Sequence, residues 1–65
     1  MNDIGWAIKH LEDGKKVKRD FWLDRYLVVV GVEGYGQTIA ICGNTKLLGW
    51  VAAYHDLTAT DWKLA

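Results

Sequence analysis

Four cations fall within the five residues Lys15-Lys16-Val17-Lys18-Arg19, and an indole, Trp22, follows three residues later. In an extended strand Lys15, Val17 and Arg19 share one face, so Arg19 points the same way as an apolar neighbour. A guanidinium is a rigid fork suited to phosphate. An indole beside it suits a stacked base. Arg19 and Trp22 are therefore candidate ligand residues, one for a phosphate and one for a base. The same run also reads as a solvated edge strand, in which lysines block pairing with another chain. A second constellation lies in Trp50-Val51-Ala52-Ala53-Tyr54-His55-Asp56-Leu57-Thr58-Ala59-Thr60-Asp61-Trp62. Trp50 and Tyr54 offer aromatic faces, while Asp56 and Asp61 offer acceptors for ribose hydroxyls or a base amino group. Two structural roles stand beside these: Asp56 as the cap of a short turn, and Trp62 as core.

Catalysis finds little support. The chain has no serine, and a general base needs a second group in hydrogen-bond reach to orient it. His55 and Asp56 are adjacent and able to pair, but adjacency in a turn does not make a catalytic dyad. His10 falls on the helix side away from the apolar stripe and reads as a surface residue. Cys42 sits in a strand with no histidine near it in sequence, and reads as a buried structural cysteine. Gly31, Gly34 and Gly36 link two strands, whereas a dinucleotide fingerprint needs a strand leading into a helix. No catalytic residue, metal ligand set or cofactor is assigned.

The elements that must position these residues follow from periodicity. Ile4, Ala7, Ile8 and Leu11 have the spacing of one apolar helix face, which predicts a helix over 3–13. Asn2 or Asp3 can cap its start, and Gly14 is suited to a left-handed C-cap. A helix of about three turns is unstable alone and must pack on something. Residues 15–19 alternate as a short strand, and 20–25 form a connection. Tyr26 to Val32 is an unbroken apolar run, which suits a strand covered on both faces. Residues 33–36 form a turn, because their glycines permit positive φ. Residues 37–42 return as a strand with Ile39 and Ile41 on one face, and 43–45 make a second turn. Residues 46–53 read as a third strand or an extended arm, 54–59 as a tight turn or single helical turn, and 60–64 as a closing strand. The expected architecture is α+β: one domain over 1–65, its N-terminal helix packed on a small antiparallel sheet.

Composition bounds the rest. A 65-residue chain buries only about 60% of its unfolded surface, and such chains usually need a staple. One cysteine closes no internal disulfide, and no Cys/His cluster has zinc spacing, so self-association into a homo-oligomer is the expected staple. Four tryptophans, each with about 150–250 Å² to bury, press the same way: some should lie at an interface or in a pocket. A net charge of zero argues against long nucleic acid as partner. No apolar run reaches the roughly 20 residues of a membrane helix. The opening Met-Asn-Asp-Ile lacks the basic start of a signal peptide, and the expected location is cytoplasmic.

The sequence also resembles a known family. Leu11-x-x-Gly14-Lys15-Lys16-Val17-x-Arg19-x-x-Trp22 resembles the start of the small phage Thoeris anti-defence proteins of the second type. Trp50-x-Ala52, followed by Asp56-Leu57-x-Ala59-x-Asp61-Trp62, resembles their C-terminal signature. The middle is shorter than is usual in that family and amounts to one hairpin. The resemblance implies a homo-oligomeric sponge with ligand pockets at subunit contacts. Its ligand would be a cyclic nucleotide immune signal, a cyclic ADP-ribose variant or a cyclic oligonucleotide, bound without cleavage. The implied motif positions are Arg19, Trp22, Trp50, Asp56, Asp61 and Trp62. Two other classes compete with the sponge: a phage protein–protein interaction module that inhibits a host protein, and a small nucleotide hydrolase.

Overall fold

A computed structural model describes residues 2–43 and 46–65. Helix α1 spans Ile4–Glu12, and Asp3 caps it by accepting the Trp6 amide at 2.9 Å. Gly14 ends it at φ +80°, where the Gly14 amide donates to the Leu11 carbonyl at 3.0 Å and the Lys15 amide to that of His10 at 3.0 Å. These bonds satisfy carbonyls that the last helical turn leaves free.

Strands β1 (Val17–Arg19), β2 (Arg25–Val32), β3 (Gly36–Gly43) and β4 (Lys46–Gly49) follow, then a helical turn α2 (Tyr54–Leu57) and β5 (Trp62–Leu64). They form one sheet in the order β4-β3-β2-β1-β5, and every neighbouring pair is antiparallel. The α+β architecture expected from the sequence is the one the chain adopts. The turn between β2 and β3 uses positive φ at Gly34 and Gly36, and the Tyr35 amide closes it on the Val32 carbonyl at 3.0 Å. The second turn expected at 43–45 reaches Asn44 and Thr45, which lie outside the described residues.

Register decides which side chains meet. Val17 stands opposite Leu27 and Leu64, Arg19 opposite Trp62, Leu27 opposite Ile41 and Val29 opposite Ile39. This inner face carries the core: Leu27, Val17 and Trp62 are fully buried with Ala7 and Leu11 of α1. Tyr26, Val28 and Val30 alternate with these residues and point to the outer face.

Four expectations change. The lysine-rich strand is not an edge: β1 lies between β2 and β5, and the edges are β4 and β5. The apolar run of β2 is covered on one face only. Its inner residue Leu27 is buried, while Val28 and Val30 are half-buried and Val32 is exposed. His10 is half-buried, its ring centroid 4.2 Å from that of Trp6. The indole broadens the apolar side of α1 beyond the stripe read from Ile4 and Leu11. Cys42 is half-buried as a free thiol on the outer face, opposite Tyr26. A hydrogen bond with Cys42 raises the Tyr26 phenol above its ordinary pKa.

Candidate functional site

The β1–β5 register sets Arg19 beside Trp62, and the loop leading into β5 brings Asp56 and Asp61 to the same place. Arg19 Nη1 donates to Asp56 Oδ1 at 2.6 Å, and Nε donates to Asp61 Oδ1 at 2.5 Å. The arginine side chain is only 10% exposed. Asp56 is buried as well, and its other oxygen, Oδ2, accepts the Ala53 amide at 3.2 Å at the start of α2. One carboxylate therefore caps the helical turn and also binds the guanidinium. Asp61 is the open arm of the trio, with its side chain 39% exposed.

A buried cation flanked by two carboxylates is well compensated. Burial works to lower the Arg19 pKa, but the hydrogen bond and charge of Asp61, and then those of Asp56, outweigh it and hold the value above the ordinary arginine range. The stability this contributes is fully present below that ordinary range and is lost only as pH rises through the raised folded value. The trio sets two carboxylates against one guanidinium. A phosphate approaching Arg19 would meet both carboxylates first.

The aromatic residues gather on Trp62. Its Nε1 donates to the Asp56 carbonyl at 3.1 Å, satisfying the buried indole. Trp22 meets it edge-on at 5.6 Å between centroids and Trp50 at 6.0 Å. The Arg19 guanidinium lies 5.8 Å from the Trp62 ring and 4.9 Å from Phe21. Trp22 is reached through the backbone instead: its amide donates to the Arg19 carbonyl at 3.1 Å, and its carbonyl accepts from Lys18 Nζ at 2.5 Å. Those bonds fold the 20–24 connection so that half-buried Trp22 lines a depression of about 310 Å³ with Phe21, Leu23, Asp24 and Arg25.

Of the residues singled out in the sequence, Arg19 touches both Asp56 and Asp61, and Trp22 and Trp50 both pack on Trp62. Trp50 also borders a groove of about 440 Å³ between α1 and β3. Tyr54 is 81% exposed and stands apart from this cluster. His55 Nε2 comes within 3.9 Å of Asp56 Oδ1, the same oxygen that Arg19 holds. Sequence reasoning missed Arg25, an exposed cation beside Trp22 that forms no ion pair among the described residues. Its position three residues after Trp22, in the same connection, was the available signal.

A family model, the Thoeris anti-defense 2-like domain, matches residues 2–65. The chain belongs to the Thoeris anti-defense 2-like family. Its role is accordingly one in Thoeris anti-defence. No curated protein matches the chain. In this member of the family the two sequence blocks that resemble the family hold each other. Arg19 and Trp22 come from the first, Asp56, Asp61 and Trp62 from the second, and the trio and the indole packing join them. Among the described residues no helix is long and apolar enough to cross a membrane.

Proposed function

We propose that this Thoeris anti-defense 2-like protein is a non-enzymatic sponge acting in the cytoplasm of an infected bacterial cell. It binds a cyclic nucleotide signal, a cyclic ADP-ribose variant or a cyclic oligonucleotide, and withholds it without cleavage. The observation that carries this reading is half-buried Trp22, braced edge-on by Trp62 and lining a depression beside Arg25. An indole of fixed orientation offers a base a stacking surface at little entropic cost. In this reading Trp22 takes the base and Arg25 takes a phosphate. Arg19 and Asp56 are positioning residues, and Asp61 presents its open oxygen to a ribose hydroxyl. Trp50 and Tyr54 contribute further aromatic contacts. Turnover has no part in it, because His55, the histidine nearest the cluster, meets only a carboxylate oxygen already held by Arg19.

Self-association belongs to the same reading. The chain exposes 4690 Å², whereas a compact 7.4 kDa monomer is expected to expose about 4,200 Å². A homo-oligomer would remove that excess. The test is to incubate the pure protein with a panel of cyclic nucleotides, wash, denature and identify what is released by mass spectrometry. Release of one nucleotide unchanged is expected. Release of a cleaved product would replace the sponge with a hydrolase. A second reading, a module docking on a host protein, draws on Leu23 and Val51, each 90% exposed. It predicts that no nucleotide is retained.

A further inference from the structure

One row on the inner face of the sheet carries charge instead of core. Arg25 of β2 stands opposite Gly43 of β3, and Gly43 stands opposite Lys46 of β4. The next row on the same face is apolar, with Leu27, Ile41 and Leu48. Helix α1 packs with Leu27, Val17 and Trp62. The β4 end of the face stays open, where Lys46 is exposed and Leu48 is 62% exposed. Arg25, Ile41, Gly43, Lys46 and Leu48 line a cleft of about 360 Å³ there. Gly43 gives the cleft its shape. Its backbone is not left-handed, so what matters is the space its missing side chain leaves. A Cβ at this position would lie 3.1 Å from Arg25 Cγ and 3.2 Å from the Asp24 carbonyl. The glycine therefore lets the arginine stem lie over β3, on the side of Lys46. Neither Arg25 nor Lys46 takes part in an ion pair among the described residues. No described carboxylate lines the cleft; Asp24 lines the Trp22 depression instead.

We propose that this cleft is a diphosphate site, in which Arg25 and Lys46 hold the two phosphates across Gly43. Two strand spacings put their Cα atoms about 10 Å apart, a gap that two long side chains close from opposite sides. The guanidinium fork suits phosphate oxygens, and the ammonium acts as a compact point charge. The pair supplies two positive charges, and a diphosphate carries negative charge on each phosphorus. A single phosphodiester, with one charge, would leave one cation uncompensated. Arg19 is already held by two carboxylates, whereas these two cations face none. Ile41 and Leu48 keep water from one side of the cleft, which strengthens the attraction. Arg25 also borders the Trp22 depression, so the cleft adjoins the surface proposed for a base. The inference rests on the proposed phosphate contact of Arg25 and adds Lys46, Gly43 and the charge of the ligand. It requires neither a cyclic ligand nor a base on Trp22.

Calorimetric titration with inorganic pyrophosphate at low salt, where exposed charges are least screened, tests the site. Saturable binding is expected, with cyclic AMP, a single diester, at least about tenfold weaker. Arg25→Ala and Lys46→Ala should each weaken pyrophosphate binding at least about tenfold. Both side chains are exposed, and circular dichroism should show both variants folded. Gly43→Val should weaken binding with both cations still present, because its side chain takes the space under Arg25. Lys9→Ala, at an exposed cation on α1, should change nothing. Failure of pyrophosphate to bind, or equal binding by wild type, Arg25→Ala and Lys46→Ala, overturns the site. Displacement of pyrophosphate by ADP identifies a linear nucleotide as the source of the diphosphate, and displacement by cyclic ADP-ribose a cyclic one. Displacement by neither marks pyrophosphate as an adventitious ion only and overturns the site. Pyrophosphate binding in a protein that retains no cyclic nucleotide would overturn the sponge and leave this site standing. The reverse result would overturn the site alone.

Discussion

Arg19 serves two carboxylates through two different nitrogens, and that decides what its loss would do. Arg19→Ala leaves Asp56 buried without its cation, a change that typically costs about 3–5 kcal/mol. The more exposed Asp61 arm adds little, because water screens it. A chain of this size loses about 4–8 °C of melting temperature per kcal/mol, so calorimetry should show a fall of more than about 12 °C or no folded state. Arg19→Lys should recover only part of this, since one ammonium cannot reproduce the Nε and Nη1 fork. An unchanged melting temperature in Arg19→Ala would contradict the trio. Trp22→Ala, at a half-buried ring, should stay folded while weakening binding of the retained nucleotide about tenfold to a hundredfold in calorimetric titration. The residue types at this site were legible from spacing, but their pairing was not. Arg19 was read against the nearby Trp22, whereas its partners lie 37 and 42 positions away. Only the β1–β5 register brings them together, and no local pattern encodes it.

Local rules governed more at the scale of elements. The apolar stripe of α1, its Asp3 cap and its Gly14 stop all have physical signatures in the chain, and each is present in the fold. Gly14→Val tests this directly. Space is not the obstacle, as a Cβ there would meet nothing within 4 Å. The left-handed backbone is the obstacle, and a β-branched residue should lose about 1 kcal/mol or more. The expected fall in melting temperature is at least about 4 °C. The β2 strand shows where local rules stop. A continuous apolar run signals burial on both faces, yet in this single chain only one face of β2 is covered. The run encodes a strand, but the number of its faces that are covered depends on what packs on the sheet. Likewise the lysines of β1 suggested an edge. Three residues from the far end of the sequence pair with β1 and make it internal.

At the scale of the molecule, surface is the deciding quantity. Few side chains are fully buried, and Leu47, Leu48, Leu57 and Leu64 are each about half exposed or more. If assembly provides the missing burial, stability must depend on concentration. The melting temperature should rise by several degrees between about 5 and 500 μM. A melting temperature independent of concentration in the wild type would mean that the single chain is sufficient.

The Asn2 side chain donates to the Trp62 carbonyl, and the two residues are 60 positions apart. Strand β5 is therefore anchored by both the first described residues and β1, and neither anchor can form until nearly the whole chain has come together. The β2–β3 hairpin, by contrast, is closed by a short local turn. Loop-closure entropy favours the hairpin early and β5 late in folding. Stopped-flow measurements should then find that Asn2→Ala speeds unfolding with little effect on the folding rate, whereas Gly34→Val slows folding. The expected order puts the contacts that hold the candidate site together last in folding and first in unfolding, so the site would open while the hairpin is still intact. A protein that holds its signal by stoichiometric capture would then release it on the timescale of β5 detachment rather than of global unfolding.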